Sequence, residues 1–397
     1  MGIGRRTAAE PRGDDDVRVE RVELMLVSVP CKEPFHISSG PVTEREVVLV
    51  RVFSEGLYGL GEMPTFSEPI YSHDATLPSL MALERWFVPA ILGRELDSPV
   101  DVGAALSGYR GFPFAKAGLE TAVWDLAARR QGVSLARLLG GERDRVAAGV
   151  SIGLQESISG LLSRVEEALA RGYQRVKLKI RPGFDVEPVT AVRQAFAGVP
   201  LMVDANSAYT LGDLPVLRAL DELGLTMIEQ PLGYDDLVDH ARLQACLRTP
   251  VCLDESLHTP ADLRKAVALG SCRIANVKYA RMGGLGPSLE IHALARASGI
   301  PVWCGSMLEL GVGQAVNLAL ASLPGFTLPG DLAPSDRYTV DDVIDPPIEM
   351  ASDGTFAVPD GPGIGVELDP RRLGRYLVRR IVLTPQQRVL IPVVHGS

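Results

Sequence analysis

The chain is short of the features that mark several large classes of protein. It has 5 cysteines in 397 residues, dispersed at Cys31, Cys246, Cys252, Cys272 and Cys304, and no CxxC pair. That leaves no zinc or disulfide framework and fits a reducing, cytoplasmic compartment. No run of residues approaches the ~18 uncharged apolar positions of a membrane span. Basic side chains number 40 against 49 acidic ones, a formal charge of −9, so the basic footprint of a nucleic-acid partner is missing. No P-loop, nucleophile elbow or dinucleotide fingerprint occurs. The opening MGIGRRTAAEPRGDDD has no apolar stretch of the secretory kind, and residues 1–17 are expected to be a disordered lead-in.

What the chain does have is an order of elements. VERVELMLVSVP, EREVVLVRVF and GLYGLGE read as a three-stranded antiparallel meander. Residues 74–131 then carry apolar positions at helical intervals, with Trp86 and Trp124 as expected core anchors. From residue 149 short β-type runs alternate with amphipathic helices: GVSIGL (149–154), RVKLKI (175–180), LMVDAN (201–206), MIEQ (227–230), VCLDES (251–256), RIANVKY (273–279), PVWCGS (301–306) and FTLPGDL (326–332). Their starts lie 22 to 28 residues apart, room for one helix each, and Thr259 followed by Pro260 is a helix start. Eight parallel strands close an α/β barrel of the TIM type. The rival, an open doubly wound sheet, lacks its glycine fingerprint.

Charged residues fall at the C-terminal end of strand after strand: Lys177 and Lys179, Asp204, Glu229, Asp254 and Glu255, then Lys278. Functional groups of such barrels sit on that face. Lys177 and Lys179 are two apart and point the same way; strands two and six are four steps apart, so Lys179 and Lys278 face each other. Asp204, Glu229 and Asp254 recur at 25-residue intervals and are expected to hold Mg²⁺ or Mn²⁺, since converging carboxylates repel unless a hard cation joins them. Glu255 is expected as a supporting partner. The rival reading is a set of lysine–carboxylate pairs that only stabilise the barrel. A metal between opposed lysines suits removal of a proton α to a carboxylate, with the cation holding the enediolate charge and depressing the lysine pKa. Two opposed bases permit racemisation; one base acting twice permits β-elimination.

The motifs VKLKI, Asp204–Asn206 (DAN), Glu229–Pro231 (EQP), Asp254–Ser256 (DES) and Asn276–Lys278 (NxK), in this order at barrel spacing, resemble the enolase superfamily and its muconate-cycloisomerase subgroup. EPFHISSGPVTERE, EPIYSHD, SMLELGVG and LPGDLAPSDRY are similar to its o-succinylbenzoate synthase / N-succinylamino acid racemase branch. The resemblance implies a modified (β/α)7β barrel over residues 141–344. It also implies an α+β capping domain built from residues 18–140 and a returning segment, 345–397, whose end is an extension. It implies Mg²⁺, a small carboxylate substrate and a homo-oligomer. Lys179 and Lys278 become the acid–base pair, Lys177 their neighbour, Asn206 and Glu255 supports of the metal ligands. Ser151, Asn276, Ser306, Met307 and Glu309 line the substrate pocket, and Arg281 matches a position where racemase-type members carry Arg. A muconate-type cycloisomerase or dipeptide epimerase is the alternative. The chain departs from the branch at Ser306, where glycine is usual, at Gln314 and Val316, where Arg and His are expected, and at Ala280. Phe35 and His36 fall in the expected capping loop. His240, His258 and His292 are expected to be structural, and Cys304 has no paired histidine to make it a nucleophile.

Overall fold

A computed structural model describes residues 17–37 and 40–391. Most of the expected lead-in, residues 1–16, lies outside the described residues, as does the end of the chain from 392; Val17 itself pairs with Leu96. Three long strands open the fold: β1 (Arg21–Ile37), β2 (Gly40–Ser54) and β3 (Leu57–Met63). They pair antiparallel, β1 with β2 and β2 with β3. A short helix, α1 (Thr76–Ala82), leads by a π turn over Leu83–Phe87 towards α2 (Pro113–Gln131).

α2 is buried along most of its length, Glu120 and Asp125 included. It lies directly on β3 because Gly59 and Gly61 have no side chain. A Cβ at Gly59 would stand 2.0 Å from the Ala122 carbonyl, and one at Gly61 2.1 Å from that of Gly118. Trp124 is buried as expected, but Trp86 is 41% exposed. The extra residue in the π turn rotates the stripe, so Leu83 and Phe87 face inward and Trp86 does not.

Seven parallel strands follow: β4 (Gly149–Ile152), β5 (Arg175–Lys179), β6 (Leu201–Asp204), β7 (Ile228–Glu229), β8 (Val251–Leu253), β9 (Ile274–Val277) and β10 (Val302–Cys304). They lie side by side in chain order. The connecting helices are α3 (Ile158–Ala170), α4 (Val186–Ala195), α5 (Leu214–Asp221), α6 (Val238–Cys246), α7 (Pro260–Leu269), α8 (Leu285–Ala297) and, after β10, α9 (Gly311–Ala321). Thr259 caps α7 in a full capping box with Asp262. The expected eighth strand, FTLPGDL, does not form a regular strand. It fills the eighth place through isolated bridges, Phe326 with Val302 and Gly330 with Ala148. Pro329 in its middle cannot donate to a ladder, yet Gly149 N donates to Gly330 O and Asp331 N to Cys304 O, which ties the segment to β4 and β10.

Period-two alternation layers the barrel interior. Met202, Met227, Cys252, Ile274 and Trp303 form one buried apolar cluster. Two residues further along the same strands come Asp204, Glu229, Asp254, Asn276 and Gly305. The apolar layer is the floor on which the charged layer stands. Beyond the barrel the chain makes short ladders, then β11 (Leu377–Leu383) pairs with β1 and β12 (Arg388–Ile391) with β11. The completed sheet runs β12–β11–β1–β2–β3. Among the described residues no helix is long and apolar enough to cross a membrane.

Candidate active site

Strand register sets the level of the charged layer. Lys179 is opposite Asp204, and Asp204 opposite Glu229, on adjacent strands. Lys179 Nζ donates to Asp204 Oδ2 and Asn206 Oδ1, each at 2.6 Å. Lys177 Nζ lies 3.3 Å from Asp204, 3.2 Å from Glu229 and 2.5 Å from Asp331. Across the barrel Lys278 Nζ donates to Asp254 Oδ2 at 2.8 Å and to the Tyr71 hydroxyl at 3.0 Å. Arg281, 1% exposed, also pairs with Asp254, and its Nη1 is 3.0 Å from the same hydroxyl. Asn206 Nδ2 donates to Glu255 Oε1 at 2.9 Å, and Asn276 Nδ2 to Glu229 Oε1 at 2.7 Å.

The motifs cooperate in three dimensions. Gln230 Oε1 accepts from the backbone amides of Asp254 and Ser256, so the EQP turn shapes the DES turn. β8 ends at Leu253, so strand alternation no longer separates Asp254 from Glu255. Asp254 turns to Lys278 and Arg281, while Glu255 turns to Asn206 and lines the cavity. Asn206, Ser207 and Gln230 take positive φ just past their strand ends, the kind of backbone cost that gathers at functional sites.

These groups surround a cavity of about 220 Å³. Lys177, Lys179 and Lys278 line it together with Glu255, Asp331 and Asn206. Aromatic and aliphatic walls close it, among them Phe35, Phe66, Tyr71 and Tyr234. Of the six residues expected to contact substrate, Ser151, Ser306 and Met307 line the cavity. Asn276, Arg281 and Glu309 stand behind it, because their polar atoms are turned to Glu229, to Asp254 and to Ser306 respectively. Among the described residues Ser151 Oγ has no hydrogen-bond partner. Ser306 Oγ is engaged with Glu309, Leu308 N and Gln314, so its departure from glycine braces the loop. Val316 is buried within α9, away from the cavity.

The electrostatics are those of a crowded buried layer. Burial lowers Lys177 and Lys278, but Asp331, Glu229 and Asp204 around the first, and Tyr71, Glu229 and Glu255 around the second, raise both above the ordinary lysine value. The depression expected for a base beside a cation is therefore not supplied by the protein's own groups. Burial raises Asp204, but Lys179 and Lys177 outweigh it and hold the carboxyl below its usual range. Burial and the charge of Asp204 push Glu229 up and Glu255 up to about 7. Asp331 is held at about 2 by Lys177 and Arg175, against its burial.

Among the described residues no three of His, Cys, Asp and Glu are grouped as a metal cage. The three expected ligands are bridged by lysines instead: Asp204 and Glu229 share Lys177, and Asp254 holds Lys278. The donor set nonetheless fits a hard divalent ion. It offers buried carboxylate oxygens on neighbouring strands, and Glu255 Oε2 and Asn276 Oδ1 beside them have no hydrogen-bond partner among the described residues.

Tyr71 and Asp331 are not marked by the sequence: they lie in EPIYSHD and LPGDL, segments similar to the branch, but nothing local distinguishes either residue. Cys304 is buried, its thiol pushed up by burial and turned to Asn317, which excludes a nucleophile. His240 is structural, accepting from Leu232 N. Phe35 lines the cavity; His36 faces an adjoining one.

A parallel barrel that gathers lysines and carboxylates at its C-terminal mouth, beneath an antiparallel sheet, defines a barrel enzyme with a capped acid–base site. Residues 160–372 match the family described as "Enolase C-terminal domain-like", and residues 21–140 the "Mandelate racemase / muconate lactonizing enzyme, N-terminal domain". The chain belongs to this family of the enolase superfamily. It is 50% identical over 352 residues to an N-succinylamino acid racemase of Thermus thermophilus, covering 89% of this chain and 95% of the relative. It is 48% identical over 361 residues to an o-succinylbenzoate synthase of Geobacillus stearothermophilus, covering 91% and 96%. A crystal structure of an enolase-superfamily member from Listeria innocua superposes with a TM-score of 0.90 at 38% identity, covering 93% of this chain and 99% of that one.

Proposed function

We propose that this enzyme removes the proton α to a substrate carboxylate with the help of Mg²⁺, acting as an o-succinylbenzoate synthase, an N-succinyl or N-acyl amino acid racemase, or both. The observation that carries the reading is the presence of Lys179 and Lys278 in one cavity, on strands four places apart in the sheet. One lysine takes the α-proton and the other returns it to the opposite face of the carbon, which inverts the centre. Where a leaving group stands β to the carbon, a single lysine first takes the proton and then delivers it to the departing hydroxyl. Lys177, fixed by Asp331, places positive charge beside the substrate carboxylate.

Asp204, Glu229 and Asp254 are the residues that would hold the metal, with Asn206 and Glu255 supporting them. A bound divalent cation supplies stabilisation of the negative charge that develops on the carboxylate as the proton leaves. The aromatic walls exclude water from the reacting carbon, and the names carried by relatives of 48% and 50% identity support both reactions.

The test is deuterium exchange. The enzyme is incubated in D₂O with Mg²⁺ and a panel of N-succinyl and N-acyl amino acids, and loss of the α-proton signal is followed by NMR. Exchange that survives in both Lys179→Ala and Lys278→Ala would overturn the two-lysine reading. A separate assay on the cyclohexadiene precursor of o-succinylbenzoate decides the dehydration.

A further inference from the structure

The cavity has two walls that belong to neither the lysines nor the carboxylates. The loop over residues 64–75, after β3, brings Phe66, Ile70 and Tyr71; the loop over 305–310, after β10, brings Met307 and Leu308. They are far apart in sequence and no strand ladder joins them. One side chain holds both. Arg45 of β2, 1% exposed, donates from Nε to the Leu308 carbonyl at 2.9 Å. Its Nη2 donates to the carbonyls of Pro64 and Thr65, each at 3.3 Å. Its guanidinium carbon lies 4.8 Å from the centroid of the Phe66 ring, close enough for a cation–π contact.

The barrel-side loop needs such support. Leu308 has φ +56°, a left-handed conformation that costs a branched residue free energy and persists only when its surroundings impose it. A second buried polar side chain from the sheet acts beside the first. Glu62 of β3 accepts from Leu310 N and Gly313 N, both at 2.8 Å, and so fixes the start of α9. Arg45 does not line the cavity. Its influence on substrate can only pass through the two loops.

We propose that Arg45 is a positioning residue for substrate specificity: it locks the loop after β3 to the loop after β10 and so sets the shape of the wall that meets the substrate's side chain. A planar guanidinium can bond in two directions at once, which an ammonium group does poorly. This inference rests on the reading of the cavity as an N-acylamino acid site. It predicts an effect on binding of substrates that touch the wall, with the proton transfer itself left alone.

The experiment compares wild type, Arg45→Met and Arg45→Lys on N-succinylphenylalanine and N-succinylglycine, with α-proton exchange giving KM and kcat. Amide hydrogen exchange measured by mass spectrometry on the same proteins reports the two loops. Arg45→Met is expected to raise KM for the phenylalanine substrate about 10-fold with kcat within about 3-fold, the pattern of lost uniform binding. The glycine substrate, which has no side chain to meet the wall, is expected to change less than about 3-fold in KM. Amides of both loops exchange faster together, while those of β6 and β7 do not. Arg45→Lys, which keeps the buried charge and guards against a misfolded Met variant, is expected to show the same selectivity in smaller degree. Equal losses of kcat on both substrates, or loops that stay as protected as in wild type, would overturn the proposal. A wild type inert towards both substrates would overturn the N-acylamino acid reading of the cavity instead, and loop protection would still decide whether Arg45 ties the loops.

Discussion

The mouth of the barrel and the seam beneath the capping sheet both bury carboxylates, and they satisfy them by different means. In the seam each carboxylate is held by two backbone amides, with the Arg129 guanidinium added at Asp125. Glu62 accepts from Leu310 and Gly313, Glu120 from Leu285 and Gly286, and Asp125 from Leu60 and Ile364. In the mouth most partners are side chains: Lys177 and Lys179 for Asp204, Lys177 and Asn276 for Glu229, Lys278 and Arg281 for Asp254, with one backbone amide, Asn206 N, also donating to Asp204. A backbone amide cannot leave its place without unfolding a turn. A lysine ammonium rides on a flexible four-carbon stem and can turn away. Seam carboxylates are therefore fixed joints, whereas mouth carboxylates can exchange one partner for another, as binding a cation or moving a proton requires.

If this contrast holds, removing a mouth group stops chemistry and spares the fold, and removing a seam group does the reverse. The largest effect is expected from Lys179→Ala or Lys278→Ala. Either should lower α-proton exchange by about 10²–10⁴-fold, with a thermal midpoint close to wild type. A large loss of stability would break the contrast. Next comes metal removal: EDTA should abolish exchange and Mg²⁺ restore it. Added Mg²⁺ should also raise the melting temperature of wild type, since a ligand of the native state stabilises it, and should not do so in Asp204→Asn. Glu62→Gln should cost about 1–3 kcal/mol in urea denaturation, because the amide group opposes one of the two backbone donors and leaves it unsatisfied.

The smallest effect concerns pH. Burial pushes Glu120 up to about 7 despite its two amide partners. Between its unfolded value near 4.5 and about 7 the folded state holds a proton that the unfolded state releases, so stability falls as pH rises through that window. Glu120→Gln should flatten this slope by at most about one proton, read from urea midpoints at pH 5, 6 and 7. An unchanged slope would assign the pH dependence to other groups.

The mouth was largely legible in the sequence and the seam was not, for a physical reason. Barrel strands repeat, so charges at their C-terminal ends recur at 25-residue intervals and announce their own geometry. Lys177, Lys179, Asp204, Glu229 and Lys278 could be placed relative to one another before any coordinates. Glu62 and Glu120 meet amides 248 and 165 residues away, a pairing that no local pattern encodes. Arg45 reads as one more charge in EREVVLVRVF, and Tyr71 as one aromatic in a loop. The eighth strand reads as regular because FTLP has strand-like residues, but its proline denies the ladder. Trp86 reads as a core residue because periodicity assumes 3.6 residues per turn, and the π turn at 83–87 breaks that count.

The sheet order has a consequence for how the molecule is made. β1 leaves the ribosome before its neighbour β11, which follows more than 300 residues later, and Glu23 waits for Arg380 across 357 positions. At 5–20 residues per second that interval is roughly 20–70 s, during which β1 presents an unpaired hydrophobic edge. Such an edge invites pairing with other chains. The sheet that carries Arg45 and Glu62 is thus completed last, so the nascent protein can hold a nearly finished barrel well before its capping sheet is whole.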